Sequence, residues 1–302
     1  MKTELPLLTI SGAPLERGRA HGEAFRDLIR DLVPAFFSDL EQTSLGHGIE
    51  PITKTRALEI GSTYKGPCRD YAPDLYEELE GISEGSGIPV NELLCLNAFL
   101  ELHDYHSDAF AVSGCTSLMV PGDPTGKGAL IAQNYDLSSI FAAAAVLIKV
   151  QSDEGPDALY YTSAGMLGCA GLNDVGIGVV INNLVPSDSG AGVIYPFIIR
   201  RILSSVRIGD AIDAVVSKPR ASGMNYVLCD GNGEIYDLET TAREYEVTCP
   251  FDGPMAHANH YLQDRLKPLE RRHWGARGQS ILRWGRATRL LKSVELVDQD
   301  AL

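Results

Sequence analysis

The sequence has no apolar segment long enough to cross a membrane, and it has little positive charge. Its longest apolar stretch runs from Ile140 to Ile148, whereas a membrane-spanning helix needs about 20 residues. Lys and Arg total 26 against 40 Asp and Glu, which gives a net charge of −14. Nucleic acids and anionic membranes attract clustered positive charge. We therefore expect neither as a partner, and we interpret the arginine-rich stretch 265–289 as the solvated face of a helix.

Cysteine pairs, a signal peptide and linkers are also missing. The six cysteines are scattered, without a Cys-x-x-Cys pair, so we expect no disulfide framework. No long apolar run follows the first lysine, Lys2, and we therefore expect no signal peptide and a cytoplasmic protein. No repeat or low-complexity linker divides the 302 residues, which are enough for one large domain.

The pattern of apolar residues changes near residue 109. Upstream, residues 1–108 carry apolar side chains mainly at helical spacing, and we expect Pro34 to kink or divide the first helix. From Cys115 to Glu239, short apolar runs separated by turn residues predict hairpins, with two helices inserted between them. Hairpins imply antiparallel sheets, so we predict an α+β fold with helices on the outer faces of two stacked sheets. The helices are predicted over 14–40, 73–83, 90–102, 196–206, 210–217 and 279–294.

Cys115, within Ser113-Gly114-Cys115-Thr116-Ser117, has a local sequence unlike that of an ordinary core cysteine. An isolated cysteine at the start of an apolar strand is usually a core residue, as we expect for Cys95 and Cys169. Gly114, however, allows unusual backbone geometry directly before Cys115. Because Cys115 begins its predicted strand, its side chain can lie at a sheet end open to substrate. Polar residues recur at the ends of neighbouring strands, at 133–136, 182–183 and 257–260.

Several short motifs accompany Cys115 along the chain. They are Arg17-Gly18-x-x-His21-Gly22, Gly114-Cys115-Thr116-Ser117, Ala132-Gln133-Asn134-Tyr135-Asp136, Gly165-x-x-Gly168 with Gly171-Leu172-Asn173, Gly176-x-Gly178 with Asn182-Asn183-Leu184, and His257-Ala258-Asn259-His260. In this order they resemble the isopenicillin-N acyltransferase family, also called acyl-coenzyme A:6-aminopenicillanic acid acyltransferase. That family belongs to the self-cleaving N-terminal-nucleophile (Ntn) hydrolases. The resemblance implies a four-layer αββα sandwich with two stacked antiparallel sheets and an N-terminal helical segment.

The resemblance also implies that the chain cuts itself between Gly114 and Cys115. The Cys115 thiol would attack the Gly114 carbonyl, and hydrolysis would leave a helical segment, 1–114, and a catalytic core, 115–302, within one structural domain. The new α-amine of Cys115 has an ordinary pKa of about 8, close enough to neutral to accept the thiol proton. Cys115 would then supply both the nucleophile and the base, without a cofactor or a metal.

Other site residues are carried over from the same motifs. By resemblance, Asn259 is the oxyanion-hole residue, and Asp136 orients the amine of Cys115 or assists self-cleavage. Asn134 and Tyr135 are the expected substrate-binding residues. Arg17 and His21 are expected to shape the structure and not the chemistry.

One feature of the family is missing from the sequence. Family members usually continue past the last helix into an Ile-Cys-Arg-like segment, whose arginine lies near the active site. The sequence through Leu302 contains no such segment. Either a different arginine takes this role, or the chain is naturally short, or part of it is missing.

The leading hypothesis is an amidohydrolase that cleaves a small N-acyl amide through a thioester on Cys115. Acyl transfer to an amine, with an acyl-coenzyme A or amine acceptor as partner, differs only in what attacks that thioester. A papain-like enzyme pairing Cys115 with His257 or His260 is disfavoured, because Cys115 begins a strand and not a helix whose dipole would stabilise a thiolate. A non-enzymatic relative that binds a small molecule stays open, as does assembly into a homo-oligomer. The two histidines lack a second ligand cluster, so we predict no zinc site.

Overall fold

Helices and strands make up most of the chain that the structure, a computed structural model, describes: residues 4–46, 50–105, 114–122, 128–251 and 253–293. The helices in these residues are α1 (Pro14–Ala24), α2 (Arg26–Gly46), α3 (Lys54–Tyr71), α4 (Pro73–Ser86), α5 (Val90–Asn97), α6 (Phe99–Asp104), α7 (Ser139–Ala143), α8 (Tyr195–Leu203), α9 (Ile208–Val216) and α10 (Trp274–Ser293). The strands are β1 (Leu7–Ile10), β2 (Gly114–Val120), β3 (Leu130–Asp136), β4 (Ala145–Val150), β5 (Ala158–Ser163), β6 (Ala170–Asn173), β7 (Gly178–Leu184), β8 (Gly223–Cys229), β9 (Ile235–Thr240), β10 (Tyr245–Thr248) and β11 (Met255–His257).

Two sheets are formed by these strands. The larger has the order β1-β4-β5-β6-β7-β8-β9-β10, and the smaller has the order β11-β2-β3. Neighbouring strands run antiparallel, apart from β1, which pairs parallel with β4 at one edge. The predicted hairpins are present as β2–β3, β4–β5, β6–β7 and β8–β9. Part of the predicted turn between β2 and β3, together with Ser113, lies outside the described residues.

Four layers result from the packing of these sheets. The small sheet lies against β7 and β8 of the large sheet, with an apolar cluster between them that includes Met119, Val180 and Val227. Helices α8 and α9 pack on the other face of the large sheet, and α10 packs on the small sheet. The order helix, sheet, sheet, helix confirms the predicted αββα arrangement. Strands β7 and β8 are buried along their whole length, because they lie between two layers.

The N-terminal helices differ from the prediction at their boundaries. One core cluster joins α2, α5 and α6 to the outer face of the large sheet. The first helix divides at Phe25, and α2 continues through Pro34, so of the two predicted effects of Pro34, a kink or a division, the division was wrong. Burial of Val33, Phe36 and Phe37 around Pro34 offsets the cost of an interior proline, about 3 kcal/mol. Helix α3 was not predicted.

Helices α1 and α4 cross at unusually close range. A Cβ atom on Gly18 would lie 1.9 Å from the carbonyl oxygen of Glu78, and one on Gly81 would lie 2.2 Å from that of Leu15. Arg17 bonds Glu78 from this crossing, and His21 Nε2 accepts the Gly165 N–H at 3.0 Å. Both side chains therefore have structural contacts. Within the described ranges, no helix combines the length and apolar character that a membrane crossing requires.

Candidate active site

Cys115 lies at the start of β2, opposite the end of β3. The register pairs Cys115 with Tyr135 and Thr116 with Asn134. Directly paired residues of antiparallel strands share a face, and alternate residues of β2, including Cys115 and Met119, are buried. Cys115 and Tyr135 therefore face the large sheet. Thr116 and the exposed Asn134 lie on the opposite face of the small sheet.

Asp136 lies beside Gly114, the residue before Cys115. The two are paired in the register of β2 and β3. A Cβ atom on Gly114 would lie 3.1 Å from Asp136 Oδ2 and 3.2 Å from Arg283 Nη2. A carboxylate and a guanidinium thus flank the backbone just upstream of the candidate nucleophile. The carboxylate is exposed.

The Cys115 side chain is completely buried in the uncut chain, with 0% of its surface exposed. The expectation of a thiol open to substrate was therefore wrong for this form. Burial raises the pKa of the Cys115 thiol above its ordinary value. Hydrogen bonds from the backbone N–H of Asn183 and from the Asn259 and Gln133 side chains, together with the Arg272 charge, act in the opposite direction on this pKa.

The backbone that faces Cys115 is an unpaired part of β7. Strand β6 pairs with β7 at residues 178 and 179, and farther along this edge β7 pairs with no other strand of the described residues. At Ile181 the backbone N–H donates to Gln133 Oε1 at 3.2 Å, and the carbonyl accepts from Gln133 Nε2. At Asn183 the N–H is directed at the Cys115 thiol. A gap in the large sheet therefore supplies a backbone donor to the candidate nucleophile.

Asn259 joins the nitrogen and the sulfur of Cys115. Its Oδ1 accepts the backbone N–H of Cys115 at 2.7 Å, and its Nδ2 donates to the Asn183 carbonyl at 3.0 Å. The Asn259 amide also contacts the Cys115 thiol. Its own backbone N–H donates to Ser280 Oγ at 2.7 Å, which ties the loop after β11 to α10. The side-chain amide is therefore held in one orientation.

Arg283 of α10 reaches the nucleophile strand. Its Nη1 donates to the Cys115 carbonyl and to Thr116 Oγ1, the latter at 2.9 Å, and its Nη2 donates to Asn259 Oδ1 at 2.8 Å. Arg286, one turn farther along, is exposed. The interpretation of the arginine-rich stretch as a solvated face was thus wrong for Arg283.

Behind Asn183 lies a buried group of polar residues. Asp104, Asn183 and Arg272 are 4%, 3% and 7% exposed. Asn183 Nδ2 donates to Asp104 Oδ1 at 3.1 Å, and Arg272 Nη2 donates to the Asn183 carbonyl at 3.3 Å. Burial raises the pKa of Asp104 to about 6, against the opposing charge of Arg272. We call Asn183, Asn259, Arg272 and Arg283 the site cluster.

The two histidines near Asn259 are bonded elsewhere. His257 Nδ1 lies 2.8 Å from the Ala258 carbonyl and its Nε2 lies 2.7 Å from Glu239 Oε1. Burial alone would lower the pKa of His257, but the neighbouring Asp237 and Glu239 raise it above its ordinary value. Burial lowers the pKa of His260 to about 4, and its Nδ1 bonds Ser280. Among the described residues, no group of three or more His, Cys, Asp or Glu is arranged to hold a metal ion.

The structure brings together some of the predicted residues and adds others. Cys115 and Asn259 are in contact, Tyr135 shares the face of Cys115, and Asp136 lies beside Gly114. Asn134 is on the opposite face. Five further residues around Cys115 were given no role in the sequence analysis. Two of them, Gln133 and Asn183, lie inside the quoted motifs. For the other three, no local sequence pattern indicates a place in the site: Asp104, Arg272 and Arg283.

Comparison with known proteins identifies the family. Residues 124–299, more than half of the chain, match the model of the family "Acyl-coenzyme A:6-aminopenicillanic acid acyl-transferase". The match covers Asp136 and Asn259 and begins downstream of Cys115. No curated protein matches the sequence.

Solved structures give only weak likenesses. Penicillin V acylase from Agrobacterium tumefaciens is 12% identical over 46% of this chain and 42% of its own, with a TM-score of 0.26. Two single-residue variants of conjugated bile acid hydrolase from Clostridium perfringens are each 10% identical over 53% of this chain and 48% of theirs, with a TM-score of 0.29. The chain thus spans less than half the length of these proteins, and scores this low carry no structural argument. On the family match, the chain belongs to the acyl-coenzyme A:6-aminopenicillanic acid acyl-transferase family.

Proposed function

We propose that this chain is a self-processing amidohydrolase of the Ntn type, which cleaves a small N-acyl amide through a thioester on Cys115. One observation carries the proposal: the nitrogen of Cys115 donates to Asn259 Oδ1 at 2.7 Å, and the same Asn259 side chain lowers the pKa of the Cys115 sulfur. Ntn chemistry needs these two atoms of one residue close to a hydrogen-bonding group, because one becomes the base and the other the nucleophile. Family membership supports acyl chemistry at this site.

Self-cleavage would proceed by an acyl shift. The Cys115 sulfur attacks the Gly114 carbonyl carbon, the bond from that carbon to the Cys115 nitrogen breaks, and the thiol proton moves to the nitrogen. Water then hydrolyses the thioester, which leaves a carboxylate on Gly114 and restores the thiol. Asp136 and Arg283, which flank Gly114, are placed to stabilise charge and to direct the proton.

Turnover would use the new amine as the base. The α-amine of Cys115 takes the thiol proton, and the thiolate attacks the substrate carbonyl. We assign the backbone N–H of Asn183 and the Nδ2 of Asn259 to the oxyanion, because hydrogen bonding by both residues lowers the pKa of the Cys115 thiol. A donor of this kind is typically worth about 3 kcal/mol. The ammonium then protonates the leaving amine, and water hydrolyses the thioester.

Arg283 is our candidate for the role that the resemblance gives to an arginine near the active site. It shares the Oδ1 of Asn259 with the Cys115 nitrogen, at 2.8 and 2.7 Å. A cation at this position favours the neutral form of the amine, which is the form that accepts a proton. The Asp136 carboxylate acts in the opposite direction, because a negative charge favours the ammonium form of the amine. It would also orient the amine. Tyr135 lies on the thiol face and is the stronger of the two substrate-binding candidates, because Asn134 would have to act from the other face.

Denaturing electrophoresis with mass spectrometry tests the proposal. The wild-type protein should give two fragments, 1–114 and 115–302, and Cys115→Ala should stay in one piece. Alkylation by iodoacetamide at neutral pH should modify Cys115 of the processed protein and abolish amide hydrolysis. Cys249, which is partly exposed, offers the control substitution Cys249→Ala, which should leave both properties unchanged.

Other outcomes would select other functions. An uncut wild-type chain that still hydrolyses amides would contradict the Ntn mechanism, and an uncut chain with an unreactive Cys115 would favour a non-enzymatic relative. A papain-like mechanism is disfavoured because the hydrogen bonds of His257 and His260 go to other groups. The family's description names acyl transfer, so an added amine acceptor that captures the acyl group in place of water would assign that activity.

A further inference from the structure

We propose that Asp104 is a positioning residue for the candidate catalytic centre: it holds Asn183 from across the cleavage boundary, so that fragment 1–114 remains a working part of the enzyme. This inference rests on the proposed function of Cys115. Asp104 is the last residue of α6, ten residues before Gly114 in the sequence. It would therefore belong to the first fragment, whereas Asn183 and Cys115 belong to the second.

The contacts of Asp104 lead directly to the nucleophile. Its Oδ1 accepts from Asn183 Nδ2 at 3.1 Å, and its carbonyl accepts from Arg271 Nη2 at 2.6 Å. The Asn183 carbonyl in turn accepts from Asn259 and Arg272, and the Asn183 N–H is directed at the Cys115 thiol. Asn183 is thus fixed through its side chain by the first fragment and through its carbonyl by the second.

The charge state of Asp104 affects the strength of its hydrogen bond to Asn183. A carboxylate accepts a stronger hydrogen bond from an amide than a neutral carboxylic acid does, and it offsets the neighbouring guanidinium of Arg272. Protonation weakens both effects and loosens Asn183, whose N–H is one of the proposed oxyanion donors. The charged and titratable groups that interact with Asp104 are Glu101 on α6, Tyr64 on α3, Tyr261 after β11, and Arg271 and Arg272 before α10.

A matched control lies on the same helix. Glu101 is also a buried carboxyl, 4% exposed, but its Oε1 accepts the backbone N–H of Tyr195 and does not contact Asn183. Glu101→Gln and Asp104→Asn therefore make the same chemical change, one turn apart, in equally buried surroundings. Only Asp104→Asn removes a carboxylate that is hydrogen-bonded to the site cluster.

The test measures self-cleavage by gel, and then hydrolysis of p-nitrophenyl acetate by the processed protein from pH 5 to 8. We expect Asp104→Asn to be processed, to lose about tenfold or more in kcat with little change in KM, and to keep the acid-side fall in kcat that the Cys115 amine causes while losing the additional fall near pH 6. Glu101→Gln should keep the wild-type kcat and its pH profile. A merely structural role would alter the amount of folded protein and leave the profile of the folded fraction unchanged.

Two results would overturn the inference. One is an Asp104→Asn protein with the kcat and pH profile of Glu101→Gln. The other needs no variant: a wild-type fall in kcat between pH 8 and 5 that a single ionisation, that of the Cys115 amine, describes completely, which decides the matter even if Asp104→Asn fails to fold. In either case, wild-type processing and acylation of Cys115 would leave the proposed function intact. Their absence would overturn that function itself.

Discussion

Two buried polar clusters of this protein differ in how completely their atoms are bonded. The first, which we call the framework cluster, consists of Arg17, Glu78 and Arg200. Arg200 donates to both oxygens of Glu78, at 2.6 and 3.0 Å, and to Tyr160 and the Leu167 carbonyl, while Arg17 donates to Glu78 at 3.2 Å. None of these three side chains has a buried nitrogen or oxygen without a partner among the described residues.

The site cluster is less complete. Arg272 Nε and Asn183 Oδ1 are buried and have no hydrogen-bond partner among the described residues. A buried polar atom without a partner costs about 1–3 kcal/mol, so evolution of the chain for stability alone would not favour this arrangement. This difference is what we expect if the framework cluster stabilises the fold and the site cluster carries out the proposed chemistry.

The largest expected effect concerns the framework cluster. Glu78→Gln leaves Arg200, which is buried, and Arg17, which is largely so, without their carboxylate, and breaking a buried ion pair in this way costs about 3–5 kcal/mol. Urea denaturation should show this loss in the free energy of unfolding, with unchanged turnover per folded molecule. Glu84→Gln, which removes the exposed pair with Arg19, should leave the free energy of unfolding nearly unchanged, because exposed ion pairs are screened by solvent. Equal losses in the two variants would contradict the comparison.

For a substitution in the site cluster we expect the reverse: a large loss of activity and a small loss of stability. Arg283→Gln removes the cation that fixes Asn259 and the Cys115 carbonyl, and we expect kcat/KM to fall about 100-fold with a small change in stability. Steady-state kinetics on the processed protein measure the effect. Arg286→Gln makes the same charge change on an exposed position of the same helix and should have no effect. If both variants behaved alike, the net charge of α10 and not the position of Arg283 would matter.

The last expected effect is a change in how stability depends on pH, without a change in activity. Burial raises the pKa of Glu101 to about 8, so its contribution to stability is fully present below its unfolded pKa of about 4.5 and is lost as pH rises through 8. Between pH 5 and 8 this contributes at most about 1.4 kcal/mol per pH unit. Urea titrations at pH 5, 6.5 and 8 should show a shallower decline for Glu101→Gln. Identical declines would mean that Glu101 is ionised in the folded protein at neutral pH.

Local features of the fold could be predicted from the sequence, and tertiary contacts could not. The hairpins follow from alternating apolar residues and turn residues, and the strand at Cys115 follows from the same pattern. The break at Phe25 and the continuation through Pro34 depend on packing against the rest of the core. Arg283 and Cys115 are 168 residues apart, and no local pattern relates them. The proposed role of Asn183 belongs to its backbone, which lies at a gap in the large sheet. The identity of its side chain does not predict that role.

The bonds around Cys115 have a consequence for the chain end that cleavage would create. A new terminus ordinarily frays, since nothing holds its first residue. Here the nitrogen of Cys115 is bound by Asn259, its carbonyl by Arg283, and its neighbour Thr116 by the same guanidinium. The first residue of the new terminus would therefore be held by hydrogen bonds that are already present before cleavage. The Cys115 amine would be in position as soon as the chain is cut, without further folding.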